Sequence, residues 1–176
     1  MYKTTIWRYL SLSLAVIFMT ILVANAQTTY ILVRHAEKDT STQGSQMMTA
    51  NPSLSTAGAA RAQRLAQILE SYAVTQVYST NFTRTQQTAT PFANKKQLAI
   101  QTYEYKNGAL NNFAQSLLAL QKEVVLVVGH SNTTPALANL LLNEQRFSPL
   151  PETEYGKIFV LRRNTDGTWK VAVIDY

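Results

Sequence analysis

The chain has 176 residues, 46% of them hydrophobic and 15% charged, a balance that suits one globular domain and excludes wholesale disorder. The formal net charge is +6, but the basic residues are scattered and form no clustered patch, which argues against nucleic acid as the partner. There is no cysteine, so disulfides, a thiolate nucleophile and cysteine-based zinc sites are excluded.

The first 26 residues read as a secretory signal rather than as part of the fold. Lys3 and Arg8 make a basic start, an apolar run from Leu10 to Ala24 follows, and Ala24-Asn25-Ala26 offers small residues where a signal peptidase cuts. The run is short for a membrane span of about 20 residues, so an uncleaved anchor is the lesser alternative. Without cysteine there is no lipoprotein attachment site. The expected organisation is a signal peptide over 1–26 and one domain over 27–176, secreted or periplasmic, with no membrane contact after cleavage.

Tyr30-Ile31-Leu32-Val33 is a continuous apolar run, as expected of a strand buried on both faces, and Arg34-His35 follows it at once. Asp39 to Pro52 is polar and reads as a loop. Ser55 is placed to cap a helix that carries Leu65, Ile68 and Leu69 and ends near Tyr72. Val74–Tyr78 is a second strand. Thr80 or Asn81 would cap a helix running through Arg84, to be kinked or ended by Pro91. Leu98–Tyr103 is a weaker strand, and Asn111 or Asn112 opens a helix with Phe113, Leu117, Leu118 and Leu120. Val124–Val128 is the clearest buried strand and ends at Gly129-His130-Ser131. After a helix with Leu137, Leu140 and Leu141, Tyr155–Arg162 and Trp169–Asp175 form two closing strands around an Asp166-Gly167 turn.

Alternating strands and helices predict a three-layer α/β/α sandwich with a mostly parallel sheet of roughly six strands. Ligands of such sheets bind beyond the carboxyl ends of the strands. Both histidines of the chain, His35 and His130, stand at such ends. A single histidine after a strand is usually structural; two, one preceded by Arg34 and the other by Gly129, point to a site. The helices that follow offer N-terminal N–H groups to an anion.

Val33-Arg34-His35-Ala36-Glu37-Lys38 resembles the opening motif of the histidine phosphatase (phosphoglycerate mutase-like) superfamily, in its RHAEK form. Asn51–Gly58 with Arg61-Ala62, Tyr78-Ser79-Thr80 through Arg84–Ala89, and Val127–Ser131 are similar to the later blocks, in the family's order. The resemblance covers about Tyr30 to Leu142. It implies that His35 is a nucleophile forming phosphohistidine, and that Arg34, Arg84 and His130 hold the phosphoryl oxygens, with Ser131 and Asn132 beside them. Arginine suits that task because its planar fork matches phosphate geometry, and a cationic neighbour keeps the nucleophilic imidazole neutral.

The leaving group also needs a proton. Glu104, after the third strand, is the candidate that the resemblance suggests, and Glu37 is its competitor; either could instead be structural. Asn132 could cap a helix, and Lys38 could be a solvated lysine. The expected activity is hydrolysis of phosphomonoesters or phosphoamidates, on a small phosphorylated substrate or a phosphoprotein, without metal or cofactor. A mutase-type phosphotransferase, a silent phospho-ligand-binding module and a two-histidine metal site are the alternatives. Sequencing the N-terminus of exported protein checks the leader: a start at Gln27 is expected, and a start at Met1 contradicts cleavage.

Overall fold

A computed structural model describes residues 27–41 and 51–176. The expected signal segment and most of the Asp39–Pro52 loop lie outside the described residues. Among the described residues six strands and four α-helices follow in the order β1 (Thr28–Arg34), α1 (Thr56–Ile68), β2 (Gln76–Ser79), α2 (Thr83–Lys96), β3 (Ile100–Thr102), α3 (Ala109–Leu118), β4 (Val124–Gly129), α4 (Thr133–Leu142), β5 (Lys157–Arg163) and β6 (Trp169–Asp175). They make one sheet in the order β3-β2-β4-β1-β5-β6. The first four in that order run parallel, and β5 pairs antiparallel with both β1 and β6. This is the expected α/β sandwich, with the closing hairpin as the antiparallel part.

Side-chain alternation along the central strands divides the core in two. Ile31, Val33, Leu126 and Val128 pack with Leu65 and Leu69 at α1 and with Ala89 and Phe92 of α2. Tyr30, Leu32, Val125 and Val127 pack on the other face with Leu117 of α3 and Leu137 and Leu141 of α4. Because both faces of β1 and β4 are covered, their sequences read as unbroken apolar runs.

Three local expectations are corrected. Pro91 does not end its helix, which runs on to Lys96. Ala89, Phe92 and Ala93 flank the proline and are all buried, and their burial outweighs the roughly 3 kcal/mol that an internal proline costs. The N-cap of α2 is Phe82, not Thr80 or Asn81. Asn51 takes over that task, its Oδ1 accepting from the Thr83 N–H at 2.9 Å. Helix α3 starts at Ala109, earlier than Asn111, because Gly108 adopts φ +83° at its N-cap and turns the chain in.

The start of α1 bears directly on the segment after β1. Ser55 caps the helix as expected, accepting from the Gly58 N–H, and its own N–H donates to the Glu37 carbonyl at 2.9 Å. Helix and loop lie so close that a Cβ on Gly58 would collide with that carbonyl. Gly58→Ala is therefore expected to push the loop off α1 and cost about 1–3 kcal/mol or more. Urea unfolding of the variant against the wild type checks this.

Candidate active site

The geometry begins with strand register. β1 and β4 pair in parallel with Arg34 opposite Gly129, and the His35 N–H donates to the Gly129 carbonyl at 2.9 Å. The residues that follow, His35 and His130, are thereby brought side by side, with ring centroids 5.4 Å apart in an edge-on arrangement. Both are buried, at 4% and 7% exposure. Gly129 is required here by crowding: a Cβ would lie 2.8 Å from Thr133 Oγ1, 2.9 Å from the Tyr103 hydroxyl and 3.0 Å from Thr134 Oγ1.

The His35 tautomer follows from its partners. Nδ1 lies 2.7 Å from the Ala36 carbonyl oxygen, which can only accept. Nε2 receives the Arg84 Nε–H at 3.2 Å, and a guanidinium can only donate. Neutral His35 therefore carries its proton on Nδ1 and an in-plane lone pair on Nε2. Burial pushes its pKa down to about 3, with the Arg84, His130 and Arg34 charges acting in the same direction. His130 Nε2 is bonded to Thr80 Oγ1 at 2.9 Å, and Thr80 is tied to Thr85 at 3.0 Å. Burial, then Arg84 and Arg34, lower the His130 pKa to about 4.

Arg84 reaches the site from the first turn of α2, with its guanidinium 4.5 Å above the Phe82 ring. Arg34 is at the site, and its guanidinium is occupied in the free protein. It is 1% exposed, and its Nη1 donates to the carbonyls of Pro151 at 2.7 Å and Glu154 at 2.9 Å. Its Nη2 donates to Glu152 at 3.0 Å, and its Nε is buried with no partner among the described residues. The Tyr155 ring covers the guanidinium at 4.1 Å and stands 6.0 Å from the His35 ring. Arg34 thus clamps the segment between α4 and β5 against the site.

The other expected residues divide. Ser131 is at the mouth, its Oγ donating to Glu152 Oε1 at 3.0 Å. Asn132 is the N-cap residue of α4 but makes no side-chain capping bond; Thr133 Oγ1 accepts from the His130 N–H instead. Glu37 is turned away into a pair with Arg61, whose Nε donates to both carboxylate oxygens at 2.9 Å and whose Nη2 lies 2.7 Å from Oε1. Lys38 makes a backbone bridge with Leu54. Glu104 is exposed, and no hydrogen bond or ion pair joins it to the site among the described residues. Its neighbour Tyr105 places its ring 5.4 Å from that of His130, tilted by 50°, so the chain after β3 brings an aromatic ring to the site and leaves the acid outside.

Sequence reasoning missed Tyr105, Tyr155 and Glu152 as site residues and took Thr80 only as a helix cap. The sequence predicts that Tyr155 opens the first closing strand, but that strand begins at Lys157, and Glu152 and Tyr155 sit in the irregular segment before it, signalled only by the polar run Pro151-Glu152-Thr153-Glu154 after the last helix. Among the described residues no group of three or more His, Asp or Glu side chains is placed to hold a metal. The charged neighbours of the two imidazoles are guanidiniums, which attract an anion and repel a cation.

A family model for the histidine phosphatase superfamily (branch 1) matches residues 30–105. No curated protein sequence matches the chain. Among solved structures, YhfR of Bacillus stearothermophilus is 17% identical with a TM-score of 0.63, over 83% of this chain and 96% of that one. A mycobacterial glucosyl-3-phosphoglycerate phosphatase is 14% identical with a TM-score of 0.64, over 85% and 99%. A phosphoserine phosphatase from Entamoeba histolytica is 18% identical with a TM-score of 0.60, over 85% and 97%. These likenesses establish a shared fold over nearly the whole length of each of those chains.

The depressed histidine pKa values have a direct readout. Both imidazoles are neutral in the folded protein above about pH 5, so neither NMR ring signal is expected to titrate between pH 5 and 8. The unfolded chain takes up these protons near pH 6.5. Stability is therefore full above that pH and falls as acid is added toward the folded values of about 4 and about 3. A midpoint near pH 6.5 for either ring in the NMR titration contradicts the burial argument.

Proposed function

We propose that the chain is a member of the histidine phosphatase superfamily, whose model matches residues 30–105, and that it hydrolyses phosphomonoesters through a phosphohistidine on His35. The observation that carries this reading is the fixed His35 tautomer. Nδ1–H is held by the Ala36 carbonyl, and Nε2 presents its lone pair beside a guanidinium. An imidazole must be unprotonated to attack phosphorus, and burial holds this one so across the neutral range.

In the free protein the Nε2 lone pair is occupied by the Arg84 N–H. An arriving phosphoryl group offers that guanidinium charged oxygens, which are stronger acceptors than a neutral ring nitrogen. Arg84 moves its bond to the phosphoryl group and Nε2 is released to attack. The bond from phosphorus to the leaving oxygen breaks as the Nε2–P bond forms. The charge spread over the equatorial oxygens is met by Arg84 and by Arg34, whose Nη2 is held in the free protein by the exposed Glu152 carboxylate. Water then attacks phosphorus, the Nε2–P bond breaks, and phosphate leaves.

The reaction needs no metal in this reading, because the arginines supply the positive charge. The solved relatives are named for different phosphorylated molecules, glucosyl-3-phosphoglycerate and phosphoserine among them. Their variety supports the class, a small phosphorylated substrate or a phosphoprotein, and not one member of it. We further propose that residues 1–26 are a cleaved leader and that the protein acts outside the cytoplasm, on the strength of their basic start, apolar run and small-residue cut site.

Purified protein is expected to hydrolyse p-nitrophenyl phosphate in the presence of a chelator. His35→Ala is expected to lower the rate by at least roughly 10³-fold and to abolish acid-labile labelling by phosphate. Full activity in His35→Ala would remove the nucleophile assignment, and loss of activity with chelator would remove the metal-free one.

A further inference from the structure

The reading above lacks a group to protonate the leaving oxygen, and the acids that sequence suggested are poorly placed for it. Glu37 is held in a bidentate pair by Arg61. Glu104 is exposed and joined to no site group among the described residues. Glu154, the other acid of the clamped segment, has its carboxylate 3.3 Å from Lys157.

Glu152 is different. Its carboxylate bridges two groups assigned to phosphate, with Oε2 at 3.0 Å from Arg34 Nη2 and Oε1 at 3.0 Å from Ser131 Oγ. Its side chain is 72% exposed, so it can swing and exchange protons with water. The Pro151 and Glu154 carbonyls, both fastened to Arg34, keep its backbone at the mouth. Resting on the phosphoryl-binding groups, it occupies ground that a substrate must take.

Resting on the phosphatase reading, we propose that Glu152 is the catalytic carboxylate that carries the leaving-group proton, after the incoming phosphoryl group has displaced it from Arg34 and Ser131. The charged and polar groups facing it are Ser131, Arg34, Lys38 and Arg84. In the free protein the Ser131 hydroxyl, with Arg34 and Lys38, holds its carboxyl below the usual range, so it is ionised. When phosphoryl oxygens take Arg34 Nη2 and Ser131 Oγ, the carboxylate loses those partners and lies beside a dianion. Both changes favour its protonated form, and it takes a proton from solvent. Substrate arrival therefore loads the acid.

The proton balance closes. As His35 Nε2 bonds to phosphorus, the leaving oxygen departs with the bonding pair and receives the Glu152 proton. The carboxylate so formed accepts a proton from the water that attacks phosphohistidine. The Nε2–P pair returns to the ring. Phosphate departs, Glu152 gives its proton to solvent and returns to Arg34 and Ser131.

The test is Glu152→Gln across p-nitrophenyl, phenyl and alkyl phosphates, with kcat/KM as the readout because it reports the step in which the leaving group departs. The expected loss grows with the basicity of the leaving group and reaches roughly 10²-fold or more on alkyl phosphates, with Glu152→Asp restoring part of it. An equal loss on every substrate, no loss, or a uniform gain from removing a competing anion overturns the assignment. Phosphohistidine labelling of the wild type is run alongside. If the wild type neither labels nor hydrolyses any of these esters, the phosphatase reading itself has failed; if it does both, only Glu152 is at stake.

Discussion

The register between β1 and β4 is the constraint on which the site depends. Arg34 lies opposite Gly129, and the next residue on each strand is a histidine. A slip of one residue would exchange Tyr30 and Leu32 with Ile31 and Val33 between two differently filled cores, because neighbours on a strand face opposite sides. The two buried faces forbid that slip, so the same hydrophobic packing that stabilises the sheet also sets the distance between the imidazoles. β2, paired on the far side of β4, delivers Thr80 to His130 and leads into the first turn of α2 with Arg84. The segment before β5, beside β1, delivers Tyr155 and Glu152.

Burial does two opposed things to this cluster. It strips water from the imidazoles, which keeps them neutral, the state that the proposed attack by His35 requires. It also limits how far water screens the guanidiniums, which concentrates positive potential where an anion would sit. The protein neutralises that potential only in part. Glu152 lies on Arg34 at the exposed rim, and Arg84 meets the edge of a neutral ring and the face of Phe82. A second acid, Glu37, is close in sequence to Arg34 but is drawn off by Arg61, which also donates to the Tyr176 carbonyl at 3.0 Å. Arg61 keeps the motif's own carboxylate from quenching the site.

Much of this was legible in the residues. Strands buried on both faces announce themselves as apolar runs, and His35 and His130 were readable because each ends such a run. Ser55 was readable as a cap because the serine precedes a periodic apolar pattern. Features set by tertiary contact were not. Helix α2 passes through Pro91 because Phe92 is buried beyond it, and its cap is supplied by Asn51, a residue 32 positions before Thr83. After β3 the alternation of Tyr103, Glu104 and Tyr105 could not say which residue meets His130, since one step reverses the face. Glu152 and Tyr155 reach the site through an irregular segment whose position is decided by hydrogen bonds to a buried arginine. No local propensity encodes such a contact.

The clamp on Arg34 joins the first strand to a segment 117 residues later. A contact of that span carries the entropy of closing nearly the whole domain. The environment of the two histidines is therefore complete only when these distant parts of the chain have met, and a partly folded molecule would hold its histidines without it.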